Sequence, residues 1–467
     1  MKKSDFKGKK ITVMGIGLHG GGVATVRFFA ESGARVIATD MKTEKELRSS
    51  LDKLADLKNI TFVFGQHRME DFENVDMIVK GPSVPWTSKH IQAALKKKIP
   101  VEMDSSIFFK FCKLPIIGVT GTKGKTTTSA LIAAILENAG EKTFTAGIGR
   151  QPVLDILEEI GEEKKGVVVF ELSSWRLSAL GRAALSPHIA VITNILPDHL
   201  NYYGTMEKYI ADKKNIFLNQ KAEDYFVLNY DNENSRILAD EAKSKKIFFT
   251  ATAETDTPDD FAGVKEGKIF FRYAEGEKII CDLNDINIRG GHNIHNVLAA
   301  AGAASVYGVS PENICEAIKS FKGVSHRLEI VREKDGIKFI NDTAATTPDA
   351  AIAGINSFSE SIILIAGGAD KKLDFPGLSK AISEKVDKVI FLKGEATEKI
   401  KAEIKKIGAE DKIDGEFGSM EEAVIRARDI AEPGGIVLLS PGAASFGLFL
   451  NEFDRGDKFR EAVEKLI

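Results

Sequence analysis

Apolar and polar positions along the chain repeat in one order: a short apolar run, a glycine- or hydroxyl-rich turn, then apolar positions spaced three and four apart. In "KKITVMGIGLHGGGVATVRFFAESGARVIATD", a β-rich run from Ile11 to Met14 enters glycines. Val23, Val26, Phe29 and Ala30 then follow at helical spacing, and a second strand is predicted from Arg35 to Thr39. This is a βαβ unit. "DMIVKGPSVPW" (76–86) predicts a later strand running into a Pro/Gly loop, and the first pattern closes near residue 112. A second series opens at Leu114, Ile116 and Ile117. It continues through apolar strands in "GVVVFELSSWRL" (166–177) and "IAVITNILPDHLNYYGTMEKYIADKKNIF" (189–217), each ending on polar residues. "GGHNIHNVLAAAGAASVYGVS" (290–310) predicts a helix of small residues with a polar start. In the third series two β-patterned runs flank Asp335-Gly336, a hairpin signal, and strands are expected at 361–366, 388–393 and 436–439. Strands ending in Gly/Ser/Asp loops before helices predict a doubly wound sheet there. The expected organisation is three α/β domains, 1–112, 113–323 and 324–467.

Composition narrows the class. A chain of 467 residues exceeds what one hydrophobic core supports, in line with several domains. Hydrophobic residues make up 43% and the formal charge is −3, so there is no global footprint for nucleic acid or an anionic membrane. No run of 18 apolar residues occurs, so no membrane span is expected. "MKKSDFKGKKITVMGIG" has a basic start but only a short apolar run, which reads as a first strand and not as a signal peptide. Cys112, Cys281 and Cys315 lie far apart without a CxxC pair. That suits a reducing cytoplasm and passive thiols, and argues against a zinc knuckle or a disulfide framework.

Two glycine loops carry the candidate chemistry. Gly15, Gly17 and Gly20 fit G-x-G-x-x-G, with Asp40 twenty residues after the last glycine, as for a dinucleotide whose ribose hydroxyl the acid takes. Another nucleotide, or a structural tight turn, fits equally. "GVTGTKGKTTTSALIAAILENAG" (118–140) misses the strict P-loop template, which wants glycine where Val119 stands. Its chemistry is nevertheless intact. Backbone amides from Gly121 through Thr122, Lys123 and Gly124 to Lys125 can wrap phosphate oxygens, Lys125 can neutralise them, and Thr126 can offer a hydroxyl to Mg²⁺. Downstream, Glu171, Asn194, Asp198 and His199 fall at strand ends, where an open α/β sheet binds ligands and where such donors suit Mg²⁺ on nucleotide phosphates.

The motifs "GTKGKTT", "ELSSW", "TNILPDHLNYYGTMEKYIADK", "GGHNIHN", "SHRLE", "INDTAATTP", "GGADKKLDF" and "LLSPGAAS" with "FDRG" follow an order over nearly the whole chain that resembles the ATP-dependent muramyl ligase family. The resemblance implies a Rossmann-like N-terminal domain that binds UDP in place of NAD, a central P-loop ATPase-like domain and a C-terminal Rossmann-like domain for an amino acid. It implies a monomer that uses ATP and two Mg²⁺ to join glutamate to UDP-N-acetylmuramoyl-L-alanine through an acyl phosphate. By the same resemblance, Lys125, Thr126, Thr127 and the loop amides hold the ATP phosphates. Glu171, His199 and Lys213 surround the metal pair, with Lys213 carbamylated. Asn293 and Asn296 lie by the adenine, and Arg327 and Asp342 contact the nucleotide. Gly15, Gly17, Leu18, His19, Asp40 and Ser83 face the UDP substrate, and Thr346, Lys371, Ser445, Phe446 and Phe449 face the incoming amino acid.

Three positions depart from the family pattern. Ala344 replaces a lysine that helps hold the amino-acid carboxylates, Gly147 replaces an asparagine beside the sugar-peptide, and Asn201 replaces an aspartate. They leave ATP chemistry untouched and open the choice between D-glutamate, L-glutamate and another acidic amino acid. A nicotinamide-dependent oxidoreductase, the competing class, accounts for only the first 40 residues.

Overall fold

A computed structural model describes residues 2–149, 151–198, 200–252, 258–274, 276–288, 290–371 and 373–466. The chain divides into two compact units, residues 1–285 with 294–320, and residues 286–293 with 321–467.

The first unit carries two sheets. One is built from β1 (Lys10–Met14), β2 (Arg35–Asp40), β3 (Ile60–Phe64), β4 (Met77–Lys80) and β5 (Val101–Glu102) in the order β3-β2-β1-β4-β5, every pair parallel. The order reverses between β1 and β4, and at such a switch point the loops diverge to leave a crevice. The predicted second strand is one residue longer than expected and includes Asp40.

The other sheet has nine strands: β6 (Ile116–Thr120), β7 (Thr143–Ala146), β8 (Val167–Glu171), β9 (Ile189–Ile192), β10 (Tyr225–Asn229), β11 (Lys245–Thr250), β12 (Phe261–Lys265), β13 (Lys268–Arg272) and β14 (Glu277–Asp282). Their order is β14-β13-β12-β11-β10-β9-β6-β8-β7. Only the pairs β12–β13 and β13–β14 are antiparallel. In β6, β8 and β9 every residue but Glu171 is buried, as a strand covered by helices on both faces requires. With β6 flanked by β9 and β8, the loops that follow these three strands lie side by side. One apolar core runs through both sheets of this unit, from Phe6, Phe28 and Phe29 to Phe170, Ile192 and Phe226.

The second unit has a six-stranded sheet: β15 (Glu329–Lys334), β16 (Ile337–Asn341), β17 (Ile362–Ala366), β18 (Lys388–Leu392), β19 (Ile413–Phe417) and β20 (Ile436–Leu439), in the order β15-β16-β20-β17-β18-β19. Only β15 runs antiparallel, joined to β16 by the predicted Asp335-Gly336 turn with φ of 53° and 75°. Strand periodicity sorts the side chains: Ile340, Leu364, Phe391 and Leu438 enter one core, and Phe339, Ile365, Ile390 and Leu439 enter another on the opposite face. Both faces are covered, which is the doubly wound arrangement the sequence predicts.

Candidate functional site

The P-loop expectation is met in shape. β6 ends at Thr120, Gly121 to Gly124 make the turn, and the helix Lys125–Asn138 begins. Two glycines are obligatory here. Gly121 has φ +154°, and a Cβ on it would lie 1.9 Å from Thr193 Oγ1. Gly124 has φ +85°, and a Cβ there would lie 2.2 Å from Asn296 Oδ1. The loop is thus a cradle that side chains would fill. The first four N–H groups of any helix lack intrahelical partners and point at whatever lies before it, which here is this cradle.

One detail differs from expectation. The Thr122 amide donates to the Asn194 carbonyl (2.9 Å) and the Lys123 amide to Asn194 Oδ1 (2.9 Å), so these two amides shape the loop. Thr193 Oγ1 and Asn194 Nδ2 both donate to the Lys123 carbonyl (2.6 and 3.1 Å), and Thr122 Oγ1 accepts from the Leu196 amide (2.9 Å). The loop after β9 therefore braces the P-loop. Lys125 Nζ donates to the carbonyls of Gly121 and Thr122, both at 3.0 Å, which holds its charge over the turn. Thr126 and Thr127 occupy the first helical turn, and Thr128 Oγ1 donates to Asn296 Oδ1 (3.3 Å).

Lys213 joins this cluster from the helix Met206–Lys214. Its side chain is buried, and its Nζ donates to the Gly121 carbonyl at 2.8 Å and to Thr120 Oγ1 at 3.4 Å. Burial first, and then the Lys125 charge, push its amine well below the ordinary lysine range, against the opposing pull of Asp198 and Glu171. Lys214 instead ion-pairs with Glu241. Glu171 ends β8 beside β6. His199 lies outside the described residues.

At the switch point of the first sheet, the Gly81 amide donates to the Met14 carbonyl (2.8 Å), joining the loops after β1 and β4. Gly15 and Gly17 are part-exposed, and Leu18, His19 and Ser83 are exposed. Asp40 Oδ2 accepts from the Ile16 and Gly17 amides, both at 2.9 Å, and Oδ1 from the Lys42 amide at 2.9 Å. Its carboxylate shapes the glycine loop before any ligand is considered.

Sequence reasoning missed the residues that join the two sheets of this unit. Arg176 Nη2 donates to Asp104 Oδ2 at 2.9 Å, and Trp86 Nε1 donates to Ser178 Oγ at 2.7 Å. Lys80, the last residue of β4, is buried with its Nζ on the Val84 carbonyl (2.9 Å) and over the Trp86 ring; burial lowers its pKa to about 8. Its place at a strand end was the only signal. Gly147 leaves no room for a side chain: at φ +73°, a Cβ would lie 2.3 Å from the Glu171 carbonyl oxygen.

In the second unit, Asp342 follows β16 and is buried, with Ser440 Oγ donating to Oδ2 at 2.8 Å and the Leu328 amide to Oδ1 at 3.3 Å. Burial pushes its carboxyl up to about 7, opposed by these donors and by Arg327. Thr346, Lys371 and Ser445 lie on the loops after β16, β17 and β20, which are neighbouring strands, and the β17 and β20 loops are bridged between Ala369 and Ala444. Ser445 is buried, Phe446 is exposed and bridges to Phe449, and burial lowers the Lys371 amine. Arg455, fully buried, was not foreseen. Its guanidinium holds the β16 loop through Thr343 and the β20 loop through the Ala443 carbonyl. Asn293 and Asn296 are both buried on the helix His292–Tyr307.

A glycine cradle at a helix start, with a carboxylate and a buried amine beside it, defines a phosphate-handling α/β enzyme. The chain belongs to the Mur ligase family: models described as the MurD-like N-terminal domain, the Mur ligase middle domain and the glutamate ligase domain match residues 9–102, 119–304 and 326–442. A UDP-N-acetylmuramoylalanine–D-glutamate ligase of Roseiflexus sp. (strain RS-1) is 44% identical over 98% of each chain. One of the same description from Thermoanaerobacter sp. (strain X514) is 37% identical over 99% of each. Among solved structures, the UDP-N-acetylmuramate–alanine ligase of Thermotoga maritima shares the fold, with a TM-score of 0.59 at 20% identity over 98% of this chain and 99% of that one. Membership sets aside the oxidoreductase reading. Among the described residues, no helix is long and apolar enough to cross a membrane.

Proposed function

We propose that this chain joins D-glutamate to the alanine carboxyl of UDP-N-acetylmuramoyl-L-alanine in the cytoplasm while cleaving ATP to ADP and phosphate. The observation that carries the reading is the convergence of the glycine cradle, Glu171 and the buried Lys213 amine at one sheet edge. D-glutamate is preferred because the full-length relatives are named for it.

A carboxylate is a poor electrophile. One alanine carboxylate oxygen attacks the γ-phosphorus and the bond to ADP breaks, giving an acyl phosphate. The glutamate amine then adds to the carbonyl carbon, loses a proton, and phosphate leaves. Gly121, Thr122, Lys123, Gly124, Thr126 and Thr127 form the cradle, and Lys125 offsets charge gathering on the phosphoryl oxygens. Two Mg²⁺ would supply further charge compensation, held by Thr126, Glu171, His199 and Lys213.

Lys213 fits that role only as an anion. An amine kept neutral by burial can attack CO₂, lose a proton and become a carbamate, a carboxylate-like ligand. Gly15, Gly17, Leu18, His19, Asp40 and Ser83 form the UDP end. Asn293, Asn296, Arg327 and Asp342 serve the nucleotide, and Thr346, Lys371, Ser445, Phe446 and Phe449 serve glutamate. The corresponding domains are 1–112, 113–323 and 324–467. Ala344, whose amide donates to the His326 carbonyl, offers no cation where the family resemblance expects a lysine, which keeps L-glutamate or another acidic amino acid as the second reading.

Phosphate release tests the proposal. Release should require Mg²⁺-ATP, UDP-N-acetylmuramoyl-L-alanine and D-glutamate together. Release with L-glutamate alone would establish the second reading, and release with neither overturns both.

A further inference from the structure

We propose that Cys281, Asp285 and Cys315 form a binding site for a soft divalent cation of the Zn²⁺ type, separate from the nucleotide cradle. The two thiols are 34 residues apart in sequence, and their separation underlies the expectation of passive cysteines. The fold brings them together: β14 packs on the helix Pro311–Ser320, and one ligand atom from each of the three side chains lies within 4.8 Å of the others. Among the described residues this is the only such convergence of three His, Cys, Asp or Glu side chains.

The geometry is near what a tetrahedral ion needs. With Zn–S bonds of about 2.3 Å, two thiolates on one ion stand about 3.8 Å apart, so a contraction of about an ångström or less brings the two sulfurs to that spacing. Two of the ligands are held in place by the backbone. Cys281 is buried on β14 opposite Ile269. Asp285 ends the single turn Leu283–Asp285, where its Oδ2 accepts from the Asp282 amide at 3.2 Å. Cys315 comes from the helix, and Lys319, four residues on, ion-pairs with Asp285 at 3.3 Å.

Thiolate ligands select Zn²⁺-like ions over Mg²⁺, which prefers oxygen. Binding breaks two S–H bonds, forms two metal–sulfur bonds and one bond to an Asp285 oxygen, and passes two protons to solvent. The fourth position is left for water, and the Lys319 ammonium is displaced from Asp285. Such an ion would tie the edge strand β14 to the helix behind it.

Cobalt titration of the full-length protein, reduced with a phosphine and stripped with a chelator, tests this without recourse to ligase activity. The expected result is a thiolate-to-cobalt charge-transfer band that saturates at one Co²⁺ per chain, with two protons released, bleached by Zn²⁺ and unaffected by excess Mg²⁺. Cys315→Ser, a half-buried position, should weaken binding at least about tenfold. Cys112→Ser should leave it unchanged, and Lys319→Gln should tighten it by removing the competing ammonium. Absence of the band, its survival in Cys315→Ser, or oxidation of the reduced pair to a disulfide with no metal uptake would overturn the proposal. Unchanged affinity in Lys319→Gln would overturn the placement of the ion beside Asp285.

Discussion

Lys213 and Lys214 are neighbours in sequence with opposite surroundings: one is buried on the P-loop carbonyl, the other is paired with Glu241 at the surface of its helix. Lys213→Ala should therefore be nearly inactive and partly rescued by acetate or formate, because the site wants an anion near Mg²⁺. Lys214→Ala should keep its activity. Equal loss in both, without rescue, would remove the carbamate from the account. Lys125→Ala should lose more than about tenfold in kcat/KM, or 1.4 kcal/mol, with an unchanged circular dichroism spectrum. Asp342 carries a pH signature instead. Its folded pKa of about 7 stands above the ordinary 3.8, so the stability of its protonated form is present below about pH 4 and is lost as pH rises through 7. Asp342→Asn should remove that slope, and melting curves of both proteins across this window should diverge. Parallel curves would contradict the burial argument. The cradle residues were legible in the sequence because glycine, lysine and threonine at fixed local offsets leave few other purposes. The choice of Lys213 over the adjacent Lys214 rested on the family resemblance, since local spacing alone leaves the helix phase open. Tyr209, buried four residues before Lys213, is the signal that fixes the phase.

At the scale of elements, runs such as Ile436–Leu439 and Ile189–Ile192 were readable because strands buried on both faces need unbroken apolar residues. Strand order was not readable, since β20 pairs between β16 and β17, strands formed by segments far from it in sequence. The cross-sheet ion pair of Arg176 and Asp104 escaped for the same reason. Removing one partner of a mostly buried pair strands the other charge and costs about 3–5 kcal/mol. Arg176→Met should therefore destabilise strongly in urea titrations, and Asp104→Asn combined with Arg176→Met should cost less than the sum of the single changes. Additive losses would mean that the pair is not coupled. The same blindness to long-range pairing made the cysteines look solitary, though Cys281 and Cys315 share one cluster.

Across the whole molecule, each sheet carries the residues proposed to meet ligands on loops at the C-terminal ends of parallel strands: the glycine loop after β1, the cradle after β6, and the loops after β16, β17 and β20. That common placement is why motif order along the chain carried the functional reading, with identity to the relatives running from end to end. The central claim is that the alanine carboxylate is activated by taking the γ-phosphoryl group. Turnover of UDP-N-acetylmuramoyl-L-alanine labelled with ¹⁸O in that carboxylate tests it most directly, with mass spectrometry of the released phosphate. An acyl phosphate requires one carboxylate oxygen to leave with phosphorus, so each released phosphate should carry one ¹⁸O. Unlabelled phosphate accompanying amide formation would contradict the account.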